Sequence, residues 1–177
     1  ADAVSESSTP SAEFTHNLCQ RWEQEAIAAT QMGTKVSILR LGVVLDKGHG
    51  ILKATVPLFK LGLGGTIGSG NQYLSWVHID DVVRAIAFIL STHPDSATYN
   101  LTSPYPVTNA QWTKTLAATL NRPALLPLPT FIVKILFGEM GEALLLNGQK
   151  ALPQKLLEVG FEFQYPRLEQ ALRQILT

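Results

Sequence analysis

The spacing of apolar and polar positions predicts a helix followed by a strand at the start of the chain. Over residues 9–32 the positions Phe14, Leu18, Trp22, Glu25 and Ala29 form one mostly apolar stripe at helical spacing, with a proline in the first turn and a glycine after the last. Residues 35–45 are nearly all apolar and rich in β-branched side chains, as in a strand buried on both faces of a parallel sheet. Helix followed by buried strand is the order typical of α/β domains.

The pattern of the remaining residues continues the alternation of helices and strands up to residue 122 and then predicts mainly short helices. It predicts helices over 51–61, 80–90 and 109–120, strands over 73–78 and 97–101, and a glycine-dense loop over 62–70. Asp80 or Asp81 is expected to cap the second of these helices, and Thr108 with Gln111 has the form of a capping box. After a proline-rich connection, short helices are expected near 131–137, 139–146, 153–158 and 167–176, with an extended piece at 161–163. We therefore expect an α/β part over residues 1–122 and a small, mainly helical part over 123–177.

Composition narrows the function classes. The 177 residues are 46% hydrophobic and 16% charged, which suits a buried core, and Lys+Arg equals Asp+Glu at 14 each. This balance gives no basic surface for nucleic acid, and no apolar run has the length of a membrane span. The four histidines are scattered without metal-ligand spacing, so no metal site is expected. A single cysteine, Cys19, excludes an internal disulfide framework and indicates a reducing compartment such as the cytoplasm.

The glycine-dense loop is a poor match to a dinucleotide fingerprint. Gly62, Gly64 and Gly68 lack the G-x-G-x-x-G spacing, and the loop follows a predicted helix and leads into a strand, the reverse of the required order. The more ordinary interpretation is a flexible loop that approaches a ligand or another backbone closely.

Two polar features carry the candidate chemistry. Arg40 interrupts the apolar strand, and it either pairs with a carboxylate, Glu23 or Glu25, or lies in the ligand crevice at the carboxyl ends of the strands, with Leu41, Gly42 and Val43 beside it. The second feature is the segment 72–81, which is dense in polar and aromatic residues. From it we select Gln72, Trp76 and His78 as candidate substrate-side residues, with core packing as the alternative for Trp76 and a structural role as the alternative for His78.

Longer motifs give the chain a resemblance to a known family. Five segments resemble motifs of the uncharacterised "epimerase family", which are atypical extended short-chain dehydrogenases/reductases. They are the pair Trp22-Glu23, the strand motif from Arg40 to Leu45, the loop from Gly62 to Gln72, the motif Trp76–Asp81 and the segment Leu145–Pro153. The resemblance covers nearly all residues from Ser5 onward.

The resemblance implies the C-terminal half of a Rossmann-like, doubly wound parallel sheet that carries a small helical subdomain. It implies NADP(H) or NAD(H) as the cofactor of the full-length protein, with Arg40, Leu41, Gly42 and Val43 beside it. It also implies that the half with the glycine-rich nucleotide loop lies upstream, and the absence of an initiator methionine agrees with a longer chain. A half-sheet exposes an apolar face and edge, so we expect this chain to aggregate, or to pair with itself or with a complementary chain.

Two departures from the family pattern bear on activity. Counting back from Glu23 places Thr15 and Cys19 where active short-chain dehydrogenases have their catalytic Tyr and Lys, and neither residue supplies that acid–base chemistry. We expect Cys19 to be a buried structural thiol. Leu74 stands where sugar-nucleotide epimerases have an arginine that binds the substrate diphosphate. The hypotheses are therefore an NAD(P)-dependent epimerase-like or oxidoreductase-like protein with an unidentified small-molecule substrate, or a catalytically inactive NADP(H)-binding sensor or interaction module.

Overall fold

The computed structural model describes residues 3–8, 14–92, 95–130 and 148–177. Helices and strands alternate through most of this range. The strands are β1 (Ala3–Val4), β2 (Ser37–Leu41), β3 (Val43–Leu45), β4 (Tyr73–Leu74), β5 (Trp76–His78), β6 (Ala97–Leu101), β7 (Val107–Thr108) and β8 (Lys150–Ala151). The helices are α1 (Phe14–Ala28), α2 (Gly50–Lys60), α3 (Ile79–Thr92), α4 (Asn109–Thr119), α5 (Gln154–Glu158) and α6 (Leu168–Leu176), and a 3₁₀ turn (Ala29–Met32) follows α1.

The predicted strand over 35–45 is two short strands with different partners. β2 pairs in parallel with β6, and β3 pairs in parallel with β5. The change occurs at Gly42, whose amide donates to the Leu101 carbonyl at 3.1 Å, while the next amide, of Val43, donates to the Ser75 carbonyl at 2.8 Å. Successive amides of an extended chain point to opposite edges, so β6 and β5 lie on opposite sides of this segment. The expectation of burial on both faces was wrong, because β2 is half-buried to exposed along its length.

The predicted strand over 73–78 is likewise divided, at Ser75. β4 pairs antiparallel with β7, whereas β5 turns to join β3. The hydroxyl of Ser75 donates to the Gln149 carbonyl at 2.7 Å and accepts from the Ala151 amide at 2.9 Å. This side chain therefore links the break between the strands to the segment that holds β8, which pairs in parallel with β1.

The core joins side chains from the middle of the chain to side chains from its C-terminal end. One buried cluster joins β3, β5, α2 and α4 to α6, and its largest members are Leu45, Leu52, Phe59, Trp76, Trp112, Leu116, Leu168, Leu172 and Ile175. A second cluster joins β5, β6 and α3 to the last segment, with Val77, Val82, Ile89, Tyr99, Leu101, Leu156 and Phe161. The C-terminal residues thus complete the core of the α/β part, and the boundary at 122–123 remains a prediction.

The helix predictions succeed in part. The capping box at Thr108 and Gln111 is present with both hydrogen bonds, and Pro57 lies within α2. α3 begins at Ile79, so neither Asp80 nor Asp81 precedes it as a cap, contrary to expectation. No strand forms at 161–163. The helices expected at 131–137 and 139–146, and the helix start at residues 9–10, lie outside the described residues.

Candidate functional site

The candidate cofactor residues Arg40 to Val43 span the end of β2 and the start of β3. Arg40 forms a two-pronged ion pair with Glu23 of α1, in which Nε donates to Oε1 and Nη2 to Oε2, each at 2.6 Å. The Arg40 side chain is 45% exposed and that of Glu23 is 19% exposed. The ion-pair interpretation is confirmed with Glu23 as partner, but the guanidinium is not buried as expected.

The electrostatic surroundings of Arg40 are acidic. The hydrogen bonds that Arg40 donates to Glu23 raise the pKa of Arg40 above its ordinary value, against the lowering effect of desolvation, and the charges of Glu23 and Glu6 add to the increase. Glu6 lies nearby because its Oε1 accepts from the amide of Asn100, the register partner of Arg40, at 2.9 Å. Arg40 is therefore a fixed cation whose charge is largely balanced, better suited to a directed hydrogen bond than to binding phosphate by net charge.

The pairing of β3 with β5 brings Trp76, a candidate substrate-side residue, beside Val43, a candidate cofactor residue. Val43 is the register partner of Trp76, and a Cβ atom at Gly42 would lie 2.7 Å from the Ser75 carbonyl oxygen. Only glycine fits this close approach of two backbones. Trp76 is fully buried, and its Nε1 donates to the Tyr105 carbonyl at 3.2 Å, so the core interpretation of Trp76 is confirmed.

His78 occupies a structural position. It is 1% exposed, its Nδ1 accepts from the Asp80 amide at 3.0 Å, and its Nε2 lies 2.8 Å from Oε1 of Gln174. These contacts assign the neutral tautomer with the proton on Nε2. His78 pairs with Leu45, five residues beyond Arg40, which corresponds to about 16 Å along an extended chain. The described hydrogen bonds of His78 go to Asp80 and Gln174 and not to Arg40, and its substrate-side role stays a prediction.

Two polar residues that follow β5 and β6, Asp81 and Ser103, bind the backbone of residues 164–166. Neither was a candidate site residue. The carboxylate of Asp81 is fully buried and accepts from the backbone amides of Gln164 at 2.7 Å and Tyr165 at 2.9 Å. The hydroxyl of Ser103 donates to the Pro166 carbonyl at 2.7 Å. We call residues 164–166 the clasp. The Asp80–Asp81 pair was the only sequence signal for it, and that signal is equally consistent with capping.

The glycine-dense loop is hydrogen-bonded to neighbouring segments. The Ile67 amide donates to Asn109 Oδ1 at 2.8 Å, the Gly68 amide donates to the Leu128 carbonyl at 2.9 Å, and Gln72 Nε2 donates to the Ile67 carbonyl at 2.9 Å. A Cβ atom at Gly65 would overlap the carbonyl of Leu126. Close approach to another backbone is confirmed, and the flexibility of the loop stays a prediction. Several loop amides are used internally, which argues against a phosphate-binding role.

Cys19 is exposed on α1, so the expectation of a buried thiol was wrong. The described side chains of α1, residues 17–28, are exposed apart from half-buried Glu23, and no apolar core forms around them. Within the described ranges, no three His, Cys, Asp or Glu side chains are grouped to bind a metal ion. The same ranges contain no helix with the length and apolarity needed to cross a membrane.

Comparison with known proteins defines the class of the fold. The crystal structure of the human epimerase family protein SDR39U1 (isoform 2) with NADPH superimposes with a TM-score of 0.89 and 35% identity, over 98% of this chain and 59% of that one. A nucleoside-diphosphate sugar epimerase from Corynebacterium glutamicum superimposes with a TM-score of 0.79 and 27% identity, over 99% of this chain and 33% of that one. The chain therefore has the α/β architecture of Rossmann-like, NAD(P)-binding epimerase folds.

Sequence relatives place the chain more narrowly. Epimerase family protein ML0860 of Mycobacterium leprae is 42% identical over 164 residues, covering 93% of this chain and 53% of the relative. Human SDR39U1 is 37% identical over 165 residues, covering 93% of this chain and 56% of the relative. A domain of unknown function, DUF1731, matches residues 128–175. The chain is thus similar to proteins described as epimerase family proteins, and it spans about half the length of the relatives it matches.

Proposed function

We propose that the protein containing this chain binds NADP(H) or NAD(H) against residues 40–43 and acts on a small molecule by oxidoreductase or epimerase-type chemistry. The observation that carries the proposal is the position of this segment. Arg40 and Leu41 are exposed at the carboxyl end of β2, where open α/β sheets bind ligands. The similarity to the human relative solved with NADPH supports the choice of cofactor.

Residues 40 and 41 offer a cofactor a hydrogen-bond donor and an apolar surface. Glu23 holds Nε and Nη2 of Arg40, so the guanidinium plane is fixed and Nη1 has no hydrogen-bond partner among the described residues. A fixed donor binds a ligand at a lower entropic cost than a free one. Leu41 is 55% exposed and offers apolar surface on the opposite face of the strand. We expect Arg40 to donate to a polar group of the cofactor and Leu41 to contact its apolar parts.

Titration tests this proposal. The reading frame that encodes the chain, expressed from its start codon, is titrated with NADPH and NADH while nicotinamide fluorescence is recorded. We expect saturable binding of at least one cofactor, and loss of a charged-group hydrogen bond in Arg40→Ala weakens it by about tenfold or more. Arg122→Ala, which removes an exposed arginine elsewhere, serves as the control. Absence of binding at millimolar cofactor, or equal affinity of both variants, contradicts the proposal.

Catalysis is a separate question, because the chain offers Thr15 and Cys19 where related active enzymes carry their Tyr and Lys. We propose as the second candidate an NADP(H)-binding sensor or interaction module without turnover, and the exposure of Cys19 in place of a catalytic lysine supports it. NADPH-dependent turnover of any carbonyl compound that is lost in Arg40→Ala would exclude this candidate. Leu74, half-buried against the core, argues against a sugar-nucleotide substrate. A cytoplasmic location remains a prediction.

A further inference from the structure

Five exposed leucines lie together around the C-terminal end of α2. Each is between 50% and 79% exposed, and we call them the leucine patch: Leu58, Leu61, Leu63, Leu125 and Leu126. The Leu63 amide donates to the Leu58 carbonyl at 2.9 Å. The Leu126 amide donates to the carbonyl of Gly64, the neighbour of Leu63, at 3.2 Å. A single exposed leucine is ordinary, whereas an apolar group built from two separate segments marks a binding surface.

Helix α2 is apolar on more than its buried side. Leu52 and Phe59 lie in the core and anchor the helix there. Leu58 and Leu61 project from its outer side, although a helix that is apolar all round is ordinarily buried. The Phe59 ring packs so closely on Gly64 that a Cβ atom there would lie 2.7 Å from it. The core therefore holds the backbone that presents the leucine patch, and the outward leucines call for a partner surface.

The charged residues in the two segments that form the leucine patch are all basic. Residues 47–79 and 96–138 contain no Asp or Glu, although acidic and basic residues are equal in number over the whole chain. Lys53 and Lys60 are exposed on α2 and, at a spacing of seven residues, lie on one side of the helix. Neither lysine forms an ion pair with a described residue. The surface thus combines apolar side chains with uncompensated positive charge.

We propose that the leucine patch binds peripherally to the surface of a membrane that contains anionic lipid. Its leucines enter the boundary between headgroups and acyl chains, and Lys53 and Lys60 bind the headgroups, as in interfacial amphipathic helices. A second copy of the chain fits less well, because a symmetric dimer would bring the same lysines together. A protein partner also fits less well, because protein hot spots favour Trp, Tyr and Arg over Leu, and the leucine patch has no aromatic member.

Vesicle sedimentation tests the proposal with the polypeptide expressed from its start codon. The vesicles contain phosphatidylcholine alone or phosphatidylcholine with about 30% phosphatidylserine, and each series is run at low and at raised salt. We expect binding to the anionic vesicles to be about tenfold tighter than to the neutral ones, and salt to reduce the difference. Inorganic phosphate at millimolar concentration is expected not to compete with the vesicles.

Substitutions separate the contribution of the leucines from that of the lysines. Leu61→Ser is expected to weaken binding to anionic vesicles by about tenfold or more, because it removes an apolar side chain that the membrane buries. Lys60→Ser is expected to weaken binding about fivefold, whereas Lys60→Arg keeps the charge and the affinity. Leu90→Ser, at a 66% exposed position of α3, is the matched control and leaves binding unchanged. Thermal unfolding of each variant checks that the fold is retained.

Four results overturn the proposal. Equal sedimentation with neutral and anionic vesicles, or none with either, shows that no anionic membrane is bound. Undiminished binding of folded Leu61→Ser shows that a different surface is in use. A dimer that forms without vesicles and is lost in Leu61→Ser identifies a second copy as the occupant. Release from the vesicles by inorganic phosphate identifies a free phosphate group as the ligand. Residues 40–43 are not part of the leucine patch, so NADPH titration of the same variants tests the proposed function separately.

Discussion

Replacing Asp81 with alanine is expected to release the clasp and cost more stability than any nearby surface change. The carboxylate is 0% exposed and accepts from the amides of Gln164 and Tyr165, and from Nη1 of Arg84 at 3.2 Å. Its loss leaves two amides without an acceptor, at about 1–3 kcal/mol each. Together with the lost contact to the arginine, the change lowers the free energy of unfolding by about 3–5 kcal/mol.

The matched control for this prediction is the neighbouring residue. Asp80 is 49% exposed and lies 3.7 Å from Nδ1 of His78, so Asp80→Ala is expected to cost less than about 1 kcal/mol. Both variants are unfolded in urea and followed by circular dichroism and tryptophan fluorescence. Asp81→Asn keeps the shape and one acceptor, and should fall between the two. If Asp81→Ala and Asp80→Ala differ by less than about 0.5 kcal/mol, the clasp does not stabilise the fold as argued.

Three further changes probe other parts of the structure. Gly65→Ala should lower the free energy of unfolding in urea by about 3 kcal/mol, because the new Cβ meets the Leu126 carbonyl. Gly62→Ala, at a φ of 75° with open space around it, should lower it by about 1 kcal/mol. Equal losses in the two variants would refute the close approach at Gly65. Burial, with a smaller effect of the Asp95 charge, raises the pKa of Tyr99 above its ordinary value of 10.0. The neutral phenol of Tyr99 therefore stabilises the fold fully below that pH, and this stabilisation is lost as the unfolded chain ionises at higher pH. Tyr99→Phe should remove this alkaline loss, measured as unfolding free energy between pH 9 and pH 11. Cys19 should react with a thiol reagent in the folded chain as fast as in urea, and strong protection would contradict its exposure.

The elements that follow from local spacing were predictable from the sequence. The strand Ala97–Leu101 was predicted within its observed bounds, and α4 begins at Asn109 as its capping box requires. Both elements were predictable because the capping box and the apolar periodicity that define them involve residues close together in sequence.

The breaks and the buried polar contacts were not predictable, because they depend on long-range neighbours. Gly42 and Ser75 read as strand interior, and only the backbone that approaches each of them shows why the strands change partners there. Asp81 has the sequence context of a cap, and the two backbone amides that it accepts from lie more than 80 residues away. For the candidate site, the sequence indicated Glu23 as a possible partner of Arg40, but it predicted a buried guanidinium, whereas the Arg40 side chain is 45% exposed.

The most direct test of the account is an amide-exchange footprint of NADPH on the polypeptide expressed from its start codon. The account predicts slower exchange at residues 40–43 on addition of cofactor, and no change at the clasp, whose Asp81 contacts are internal. Protection confined to the clasp, or saturable binding that leaves residues 40–43 unprotected, would show that the cofactor lies elsewhere and would contradict the account.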